Sequence, residues 1–338
     1  MATIREIAAK SGYSPAAVSR LLNNDPSFSI SPAARNKILK TAESLNYQQS
    51  IGRKNPHYQV AVLFAVLPQK ELEDTYFSQL RTSIVDYAAK SDLNLTFYHH
   101  IYDIPTNIDG FLAIGQFKSS ELDQLAILSK HGVFVDSNPD ASRFNAVQPN
   151  LQSITERAID LFIAAGKKQI GFIGGQFWQM DPATILKNDD RQKYFESHMH
   201  ELGLYQADNI FIGNNFSVTS GYQLGQKICQ NHTVETLPDA FLVASDPLAI
   251  GILQAFNEYQ ITVPNDTAII SVNNIDIAKY VAPPLTTFEI DTNELGRIAI
   301  NRLKESIIFQ HDYKQTILLD APLIYRKSFP VEQTKIPK

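Results

Sequence analysis

A single cysteine stands in the whole sequence, and this excludes any fold that depends on internal disulfide bridges. Cys229 has no second cysteine to pair with among the 338 residues. A lone thiol fits a reducing compartment, or a protein that never needed cross-links. A chain of this length can bury large hydrophobic cores without them, so we expect an ordinary globular protein.

Long hydrophobic runs are also missing. The longest apolar stretches, such as residues 60–67, are much shorter than the roughly 20 residues that a membrane-spanning helix needs. The opening residues MATIREIAAK lack the basic start and long apolar core of a signal peptide. We therefore expect a cytoplasmic protein without a membrane partner, with two or three domains at roughly 100–200 residues each.

The motifs of several common enzyme classes are absent as well. The sequence contains no HExxH, no CxxC, no P-loop and no GxSxG. The glycines of 171–175 are too sparse for a dinucleotide-binding fingerprint, and the histidines at 99–100 and 198–200 lack metal-binding partners at the usual spacing. These absences predict a protein that is not an enzyme and that holds no cofactor or metal.

Net negative charge is small, and its distribution is uneven. The formal net charge of −5 taken alone argues against nucleic acid as a partner. Residues 1–60, however, hold eight Lys or Arg and three acids, or +5, and the remainder holds 22 basic and 32 acidic residues, or −10. A basic N-terminal segment on an otherwise acidic chain suits binding of nucleic-acid phosphates by that segment alone. A solvated helical face would give the same distribution of charge.

The first fifty residues carry the pattern of three short helices. Thr3 and Glu6 fit a capping box, and Ser14-Pro15 and Ser31-Pro32 each combine a capping serine with a proline suited to the first helical position. A tight turn at Gly12 separates the first two helices. This arrangement is typical of a helix-turn-helix, although a small structural three-helix domain would share the pattern.

In a helix-turn-helix, the second helix lies in the major groove with its N-terminal end at the base edges. The exposed candidates here are Pro15, Ala16, Ala17, Ser19 and Arg20. Arg20 can pair with guanine or with a phosphate, whereas Pro15 and Ala16 can offer only apolar contact, for example to a thymine methyl group.

A long and specific motif runs through this segment, made of Thr3-Ile4, Ala8, Gly12, Ser14, Val18-Ser19-Arg20, Leu22-Asn23, Ala42-Glu43, Leu45 and Tyr47. It closely resembles the headpiece of the lactose and galactose repressor (LacI/GalR) family. The resemblance implies binding to double-stranded operator DNA. We expect the contacts to come from Thr3, Ser14, Pro15, Ala16, Ser19, Arg20, Asn23 and Arg53.

The segment after this headpiece departs from the family. Relatives usually carry a hinge helix that ends in Ala-Arg-x-Leu, and its leucine wedges into the minor groove and kinks the operator. The matching stretch here reads Gly52-Arg53-Lys54-Asn55. Glycine weakens a helix by about 1 kcal/mol, and asparagine is a poor wedge. We therefore expect the hinge to order only on DNA, or to bend the operator less than in relatives.

From Tyr58 onward, short apolar strands alternate with amphipathic helices as far as Val272. The first of these elements are a strand at 60–67, a helix at 77–89 and strands at 95–100 and 110–114. Repeated units of this kind predict parallel sheets covered on both faces. Two such sheets, divided near residues 148–152, would form two lobes with a cleft between them. Open parallel sheets bind ligands at the carboxyl ends of their strands, and a two-lobed cleft closes by hinge motion.

Three segments of this region resemble the sensor half of the same family, which is similar to periplasmic sugar-binding proteins: residues 166–175, 244–251 and 283–287. The predicted fold is an N-terminal all-α helix-turn-helix headpiece followed by a two-lobed α/β, periplasmic-binding-protein-like sensor domain with parallel sheets. We place the headpiece at 1–47, a hinge or linker at 48–58, the sensor domain at 59–330 and a tail at 331–338.

Sugar sites combine bidentate polar groups for ring hydroxyls with an aromatic plate for the apolar face of the sugar. The polar candidates at predicted strand ends are Arg191, Ser245, Asp246 and Asn273. In the family, the position that matches Arg191 carries an arginine that binds the sugar or the corepressor. Many relatives carry Asp at the position that matches Asn273. The alternatives are a surface ion pair of Arg191 with Asp189 or Asp190, a helix N-cap for Asp246, and a turn residue for Asn273.

The aromatic candidates for the plate are Tyr76, Phe77, Phe216 and Trp178. Each of them could instead belong to the hydrophobic core, but Phe216 matches a family position that is often aromatic. Asn150, where relatives often carry Asp, could lie at the hinge between the lobes or in the cleft.

Four further segments narrow the resemblance. Residues 71–77, 108–115, 134–137 and 270–274 look like the galactose-operon and evolved-β-galactosidase repressors of bacteria. The resemblance implies a repressor of a sugar-utilisation operon, controlled by galactose or a galactoside. Two alternatives stay open: a catabolite-control regulator whose effector is a phosphocarrier protein, and a stand-alone sugar-binding protein with an incidental basic head.

Tetramers of this family use a C-terminal leucine heptad. The stretch 329–338 has none and contains two prolines, so we expect a homodimer on a pseudo-palindromic operator, associated with the nucleoid through that DNA. The sequence leaves open the operator sequence, and whether the ligand releases or strengthens DNA binding.

Overall fold

A computed structural model gives the fold of the protein. It describes residues 3–22, 28–45, 47, 58–66, 75–176, 189–310 and 312–330. The chain divides into two compact units, Met1–His57 and Tyr58–Lys338. The predicted linker at 48–58, apart from Tyr58, and the predicted tail at 331–338 lie outside the described residues, so both remain predictions.

Three helices make up the described part of the first unit: α1 (Ile4–Ser11), α2 (Pro15–Leu22) and α3 (Pro32–Ser44). Their apolar stripes meet in a small core around Ile7, Val18 and Ile38, all of them fully buried. Helical spacing of the apolar residues therefore produces the three-helix arrangement that the sequence predicts.

A side-chain cap fixes where α1 begins, and a glycine fixes where it ends. The Thr3 hydroxyl accepts a hydrogen bond from the Glu6 backbone N–H at 3.3 Å, and the Glu6 carboxylate accepts one from the Thr3 N–H at 2.7 Å. These two bonds form the predicted capping box. Gly12 ends the helix with a φ of 77°, a left-handed conformation that glycine adopts without strain. The tight turn before α2 is thereby confirmed.

Two six-stranded sheets form the second unit. The strands of the first sheet are β1 (Tyr58–Phe64), β2 (Leu93–Tyr98), β3 (Gly110–Ile114), β4 (Gly132–Val135), β5 (Asn145–Pro149) and β11 (Thr316–Leu319). They lie in the order β11-β5-β4-β3-β1-β2, and each neighbouring pair is parallel. Strands β3 and β4 are buried along their whole length, as expected of a sheet covered on both faces.

The second sheet repeats this design. Its strands are β6 (Ile170–Gly175), β7 (Ile210–Gly213), β8 (Ala240–Val243), β9 (Ala268–Asn273), β10 (Thr286–Glu289) and β12 (Leu323–Ile324). Their order is β12-β10-β9-β8-β6-β7, and all pairs are parallel except that of β12 with β10.

Helices cover both sheets and make each sheet a lobe. The first lobe carries α4 (Thr75–Ala89), α5 (Ser119–Leu128) and α10 (Thr292–Phe309). The second lobe carries α6 (Leu151–Ala164), α7 (Asp190–Glu201), α8 (Val218–Asn231) and α9 (Asp246–Glu258). Short 3₁₀ turns lie at Ile101–Asp103, Ala207–Asn209 and Asp276–Lys279. None of the described helices combines the length and the apolarity needed to span a bilayer.

In its described part, the chain crosses between the lobes three times. It leaves the first sheet after Pro149 and enters the second lobe at Leu151. Helix α10 and strand β11 then return to the first lobe, before β12 joins the second sheet. The single division that the sequence suggests near 148–152 covers only the first of these crossings.

Candidate functional site

The exposed face of α2 gathers several of the predicted DNA contacts. Pro15, Ala16 and Arg20 are exposed, and Ser19 is half-buried beside them. The opposite face of the helix is buried in the core of the first unit. The structure therefore places these four side chains on one short helix, as a helix-turn-helix reader requires.

Two other predicted contacts, Thr3 and Ser14, are exposed but already act as helix caps. Ser14 accepts a hydrogen bond from the Ala17 N–H at 3.2 Å, and Thr3 is engaged in the capping box with Glu6. Hydrogen bonds from the backbone and side chain of Thr3 lower the pKa of Glu6. Both hydroxyls stabilise helix starts, and their contact with DNA stays a prediction.

The first unit also carries exposed cations outside α2, namely Arg5, Lys10, Lys37 and Lys40. Cations of this kind attract the phosphate backbone whatever the base sequence. The remaining predicted DNA contacts, Asn23 and Arg53, lie outside the described residues, as do the hinge residues Gly52 and Asn55.

Arg191 lies at the start of α7, near the carboxyl end of the second sheet. Its Nε and Nη2 donate to the two carboxylate oxygens of Asp189 at 2.8 and 2.6 Å, a bidentate pair. Asp189 also caps α7, since it accepts from the Arg191 backbone N–H at 2.8 Å. The two side chains are only 11% and 1% exposed, so the ion pair considered as a surface alternative exists but is buried.

Two further contacts hold the Arg191 guanidinium in place. Its Nη1 donates to the carbonyl oxygen of Ala244, the residue after β8, and its central carbon lies 5.0 Å from the centre of the Phe216 ring. Burial acts to lower the pKa of Arg191, but the carboxylates of Asp189 and Asp136 outweigh it and raise the pKa above its usual value. The guanidinium is thus a fixed cation that links α7, β8 and the start of α8.

The first lobe contributes an acid to the same place. Asp136 follows β4 with a φ of 75°, and the Tyr76 hydroxyl donates a hydrogen bond to its carboxylate. Burial raises the pKa of Asp136, while Tyr76 and the positive charge of Arg191 act in the opposite direction. Arg191 and Asp136 thus belong to different lobes, and each influences the pKa of the other.

Sequence reasoning missed Asp136, and it considered Asp189 only as a competing ion-pair partner. A usable signal for Asp136 was present, since an acid directly after a buried strand lies at the ligand-binding edge of a parallel sheet. Its contact with Tyr76 joins residues 60 positions apart in the chain, which no local pattern reveals.

The predicted aromatic plates are only partly supported. Tyr76 is 4% exposed and its hydroxyl is bound to Asp136, so it does not offer a ring face to a sugar and instead positions that carboxylate. Phe77 is half-buried and packs edge-on against Phe64 and Tyr76. Phe216 is half-buried beside Arg191, and Trp178 lies outside the described residues.

Ser245 begins α9 directly after the strand-end carbonyl that Arg191 contacts. Its hydroxyl is buried and has no hydrogen-bond partner among the described residues. A buried polar group without a partner costs about 1–3 kcal/mol. This position therefore favours a hydroxyl of a ligand, or an ordered water, as the missing partner.

Asp246 is fully buried, which corrects its predicted role as a ligand contact. Its carboxylate accepts hydrogen bonds from the Ser271 hydroxyl, from the Thr287 hydroxyl at 2.7 Å and from the Ile275 N–H at 2.8 Å. It is not the helix N-cap either, because that position belongs to Ser245. Burial raises the pKa of Asp246 to about 6, against the effect of these hydrogen bonds. Its role is to tie the ends of β8, β9 and β10 together.

Asn273 ends β9 in a half-exposed position, with a φ of 117°. The next residue, Asn274, has a φ of 54° and is held by hydrogen bonds with Thr287, Glu289 and Arg326. Asparagine visits such backbone conformations more readily than most residues. Asn273 is therefore a turn residue, and the turn holds it at the carboxyl end of the sheet where the ligand contact is predicted.

Asn150 lies at the first crossing between the lobes. Its side-chain oxygen accepts a hydrogen bond from the Ser153 N–H at 3.2 Å and caps α6. Asn150 therefore lies at a crossing between the lobes, as predicted for a hinge residue, and its predicted place in the cleft stays a prediction.

The polar groups at the carboxyl ends of the two sheets suit recognition of a small polar molecule. Arg191 can only donate hydrogen bonds, Asp136 accepts them or donates one when protonated, and Asn273 can do both. Within the described ranges, no group of three or more His, Cys, Asp or Glu side chains could hold a metal ion.

Comparison with known proteins covers both units. Residues 3–50 match the family described as bacterial regulatory proteins, lacI family, and residues 159–329 match a periplasmic binding protein-like domain. A similar curated protein is the HTH-type transcriptional regulator GanR of Bacillus subtilis (strain 168). It is 40% identical over 332 residues, which cover 97% of this chain and 99% of GanR.

Two solved structures share the fold along nearly the whole chain. The complex of the transcriptional regulator CelR with cellobiose has a TM-score of 0.68 at 19% identity and covers 97% of this chain and 100% of its own. The lac repressor dimer bound to operator and the anti-inducer ONPF has a TM-score of 0.67 at 19% identity, with coverage of 97% and 99%. The predicted fold class is confirmed.

Proposed function

This chain belongs to the lacI family of bacterial regulatory proteins, and we propose that it represses a sugar-utilisation operon under the control of galactose or a galactoside. Its family and GanR confirm the prediction of a DNA-binding transcription regulator that is not an enzyme. The observation that carries the sensing half is the placement of buried, charged groups at strand ends in both lobes, Arg191 beside the end of β8 and Asp136 after β4, each of which shifts the pKa of the other. A molecule bound between them contacts both lobes, so its binding favours cleft closure.

The DNA-binding half of the proposal is supported by α2. Its exposed face offers Arg20 for guanine or phosphate, and Pro15 and Ala16 for apolar contact, within a segment (1–60) of net charge +5. The chain acts as a homodimer on a pseudo-palindromic operator, in the cytoplasm and on the nucleoid. The lac repressor structure with the same fold is a dimer bound to operator.

The choice of a sugar is supported by the polar groups at the strand ends. Arg191, Asn273 and the orphaned Ser245 hydroxyl belong to the second lobe, and Asp136 follows a strand of the first. Phe216 adds an aromatic surface beside Arg191. CelR, which shares the fold, is known in complex with cellobiose. The resemblance of residues 71–77, 108–115, 134–137 and 270–274 to galactose-operon repressors favours galactose or a galactoside over other sugars.

The sugar changes DNA affinity because it prefers one arrangement of the lobes over the other. Closure of the cleft shifts the lobes against each other in both protomers of the dimer. The shift alters the spacing of the two headpieces, and a pseudo-palindromic operator is sensitive to that spacing.

A gel shift with the intergenic DNA upstream of the operon tests the sensing half. D-galactose should change the operator affinity of the full-length protein by about 5- to 150-fold. D-glucose, which differs at one hydroxyl, is the matched control and should have a smaller effect. An operator affinity that responds to no sugar, galactosides included, would reject the sensing half.

Arg20→Ala tests the DNA-binding half in the same assay. Loss of a base-contacting arginine should cost about 1–3 kcal/mol of operator binding and relax the sequence preference at one base pair. Lys40→Ala removes an exposed cation from α3 and should weaken binding to all sequences alike, if at all. If Arg20→Ala leaves both operator affinity and sequence preference unchanged, α2 is not the helix that recognises the operator bases.

A further inference from the structure

The cation in the cleft is already neutralised by the protein itself. Asp189 holds Arg191 through two hydrogen bonds, and this carboxylate is 1% exposed. Within the described residues, three of the five guanidinium N–H groups are used, two by Asp189 and one by the Ala244 carbonyl. One N–H donor on each Nη nitrogen is left for a ligand. These donors carry no uncompensated positive charge, because Asp189 balances the charge of Arg191.

A second acid adds to this balance. The groups that act electrostatically on Arg191 are Asp189, Asp136 and Tyr76, and those that act on Asp136 are Tyr76, Arg191 and Asp189. In this part of the described structure one cation is thus paired with the Asp189 carboxylate and is also under the influence of Asp136. The local charge is neutral when Asp136 is protonated and negative when it is not.

We propose that Asp189 sets the charge class of the ligand, so that the cleft takes an uncharged sugar and rejects its phosphate ester. The inference rests on the proposed function in taking the ligand to be a sugar, and it goes further by naming the residue that excludes a charged one. Arginine is the side chain that binds phosphate best, through the same planar fork that Asp189 occupies here.

Both ways in which a phosphate could bind Arg191 are unfavourable. A phosphate that took the fork would leave the Asp189 carboxylate buried without its partner. A phosphate that used only the two remaining Nη donors would leave the pair intact but would add its negative charge beside a cation that Asp189 already neutralises. A sugar hydroxyl needs no such exchange, because it can accept from the remaining Arg191 donors and donate to Asp136. The pair therefore orients an uncharged ligand and repels an anionic one.

Calorimetry on the full-length protein tests the selectivity directly. D-galactose 1-phosphate and D-galactose 6-phosphate should each bind at least about 100-fold more weakly than D-galactose, because the phosphate must either break the buried pair or place its charge beside a cation that is already neutralised. A phosphate ester that binds as tightly as its parent sugar would overturn the proposal. This comparison needs no variant, so it decides the matter even if substitutions at Asp189 prevent folding.

Asp189→Asn tests the residue, with inorganic phosphate as the probe. Asparagine keeps the shape and the capping ability of the side chain but removes its charge. Phosphate should bind this variant about tenfold or more tightly than wild type, because Arg191 then lacks its counter-charge. Detectable phosphate binding in the cleft of the wild-type protein, or equal binding to both proteins, would contradict the assignment.

Asp190→Asn is the matched control for this charge change. Asp190 is the next residue of the same helix, is exposed and pairs with Lys193 at 2.7 Å. Its loss should leave phosphate binding as it is in wild type, and an equal gain in both variants would refute a specific role for Asp189. Phosphate could bind more tightly to Asp189→Asn than to wild type while galactose binds neither protein. In that case the role of Asp189 in excluding anions stands, and the proposed effector is wrong.

Discussion

Among single residues, Asp246 couples packing to protonation. Its carboxylate is shut inside the second lobe and accepts hydrogen bonds from β9, β10 and the turn between them. Its pKa of about 6 in the folded protein lies above the value of about 3.9 for an unfolded chain. The folded state therefore binds this proton more tightly. The stabilisation it gives is complete below about pH 4 and is lost as the pH rises through 6.

Comparison of wild type with Asp246→Asn isolates this effect. Between pH 4 and 7 the wild type should lose up to about 3 kcal/mol of unfolding free energy relative to the variant, which cannot titrate there. Urea unfolding followed by circular dichroism at several pH values measures the difference. Asp320→Asn, at an exposed carboxylate, should instead give a curve parallel to wild type. A parallel curve for Asp246→Asn would contradict the raised pKa.

Part of the candidate site could be predicted residue by residue. Ser245 and Asn273 could be predicted because a polar side chain after a buried strand lies at the ligand-binding edge of a parallel sheet. Arg191 could be predicted from the resemblance to the family. The burial of Asp246 and the bond of Tyr76 to Asp136 could not be predicted, since both depend on which elements pack together in three dimensions. Sequence spacing shows that a polar group lies at a strand end, but not whether the lobe covers it.

Among the elements, helices α8 and α9 approach each other through glycines. A Cβ on Gly251 would lie 2.1 Å from the Val218 carbonyl oxygen, and one on Gly221 would lie 2.2 Å from the Leu248 carbonyl oxygen. Both obstacles are backbone atoms, which cannot rotate away as a side chain does. The close packing of this helix pair therefore requires glycine at these two positions.

Gly251→Ala should destabilise the protein by about 2–3 kcal/mol, because the added methyl group forces the two helices apart. The sign of the change in unfolding free energy is diagnostic, because a glycine-to-alanine substitution in an uncrowded helix stabilises the protein by up to about 1 kcal/mol. Thermal or urea unfolding measures it. Gln254→Ala, exposed on the same helix, should change stability by less than about 0.5 kcal/mol. Unchanged or raised stability of Gly251→Ala would mean that α8 can move aside.

Helices and strands with a clear period of apolar residues could be predicted from the sequence, and very short strands could not. The helix expected at 77–89 is α4 at Thr75–Ala89, and the strand expected at 110–114 is β3 with the same bounds. Strands β10 to β12 have two to four residues each, too few to show a period. Helix α10 was not predicted, although Asp291 caps it and its apolar residues recur at helical spacing.

For the whole molecule, an apolar surface next to β9 supports the proposed dimer. Ile277 and Tyr280 lie within one turn of each other and are 49% and 74% exposed. Large apolar side chains, aromatic ones above all, are typical of the buried centre of protein interfaces. A second copy of the chain is the partner that the proposed homodimer provides for this surface.

Tyr280→Asp should convert the dimer to a monomer at micromolar concentration, because the interface would have to bury a charge. Sedimentation velocity measures the change, and operator affinity should fall with it. Tyr102→Asp is the control, since Tyr102 is equally exposed at 78% but belongs to the first lobe. A Tyr280→Asp variant that stays dimeric would place the interface elsewhere.

The three chain crossings bear on how the protein is made. The first lobe starts at Tyr58 but is finished only when α10 and β11 have been added, whereas the second lobe has five of its six strands between residues 170 and 289. During translation the ribosome therefore releases nearly all of the second lobe before the first can close its sheet. Until β11 arrives, β5 is an open edge to which another nascent chain can add a strand. The lobe that is synthesised first must therefore wait for β11, which follows all strands of the second lobe except β12, and it is the one more exposed to misassembly in the meantime.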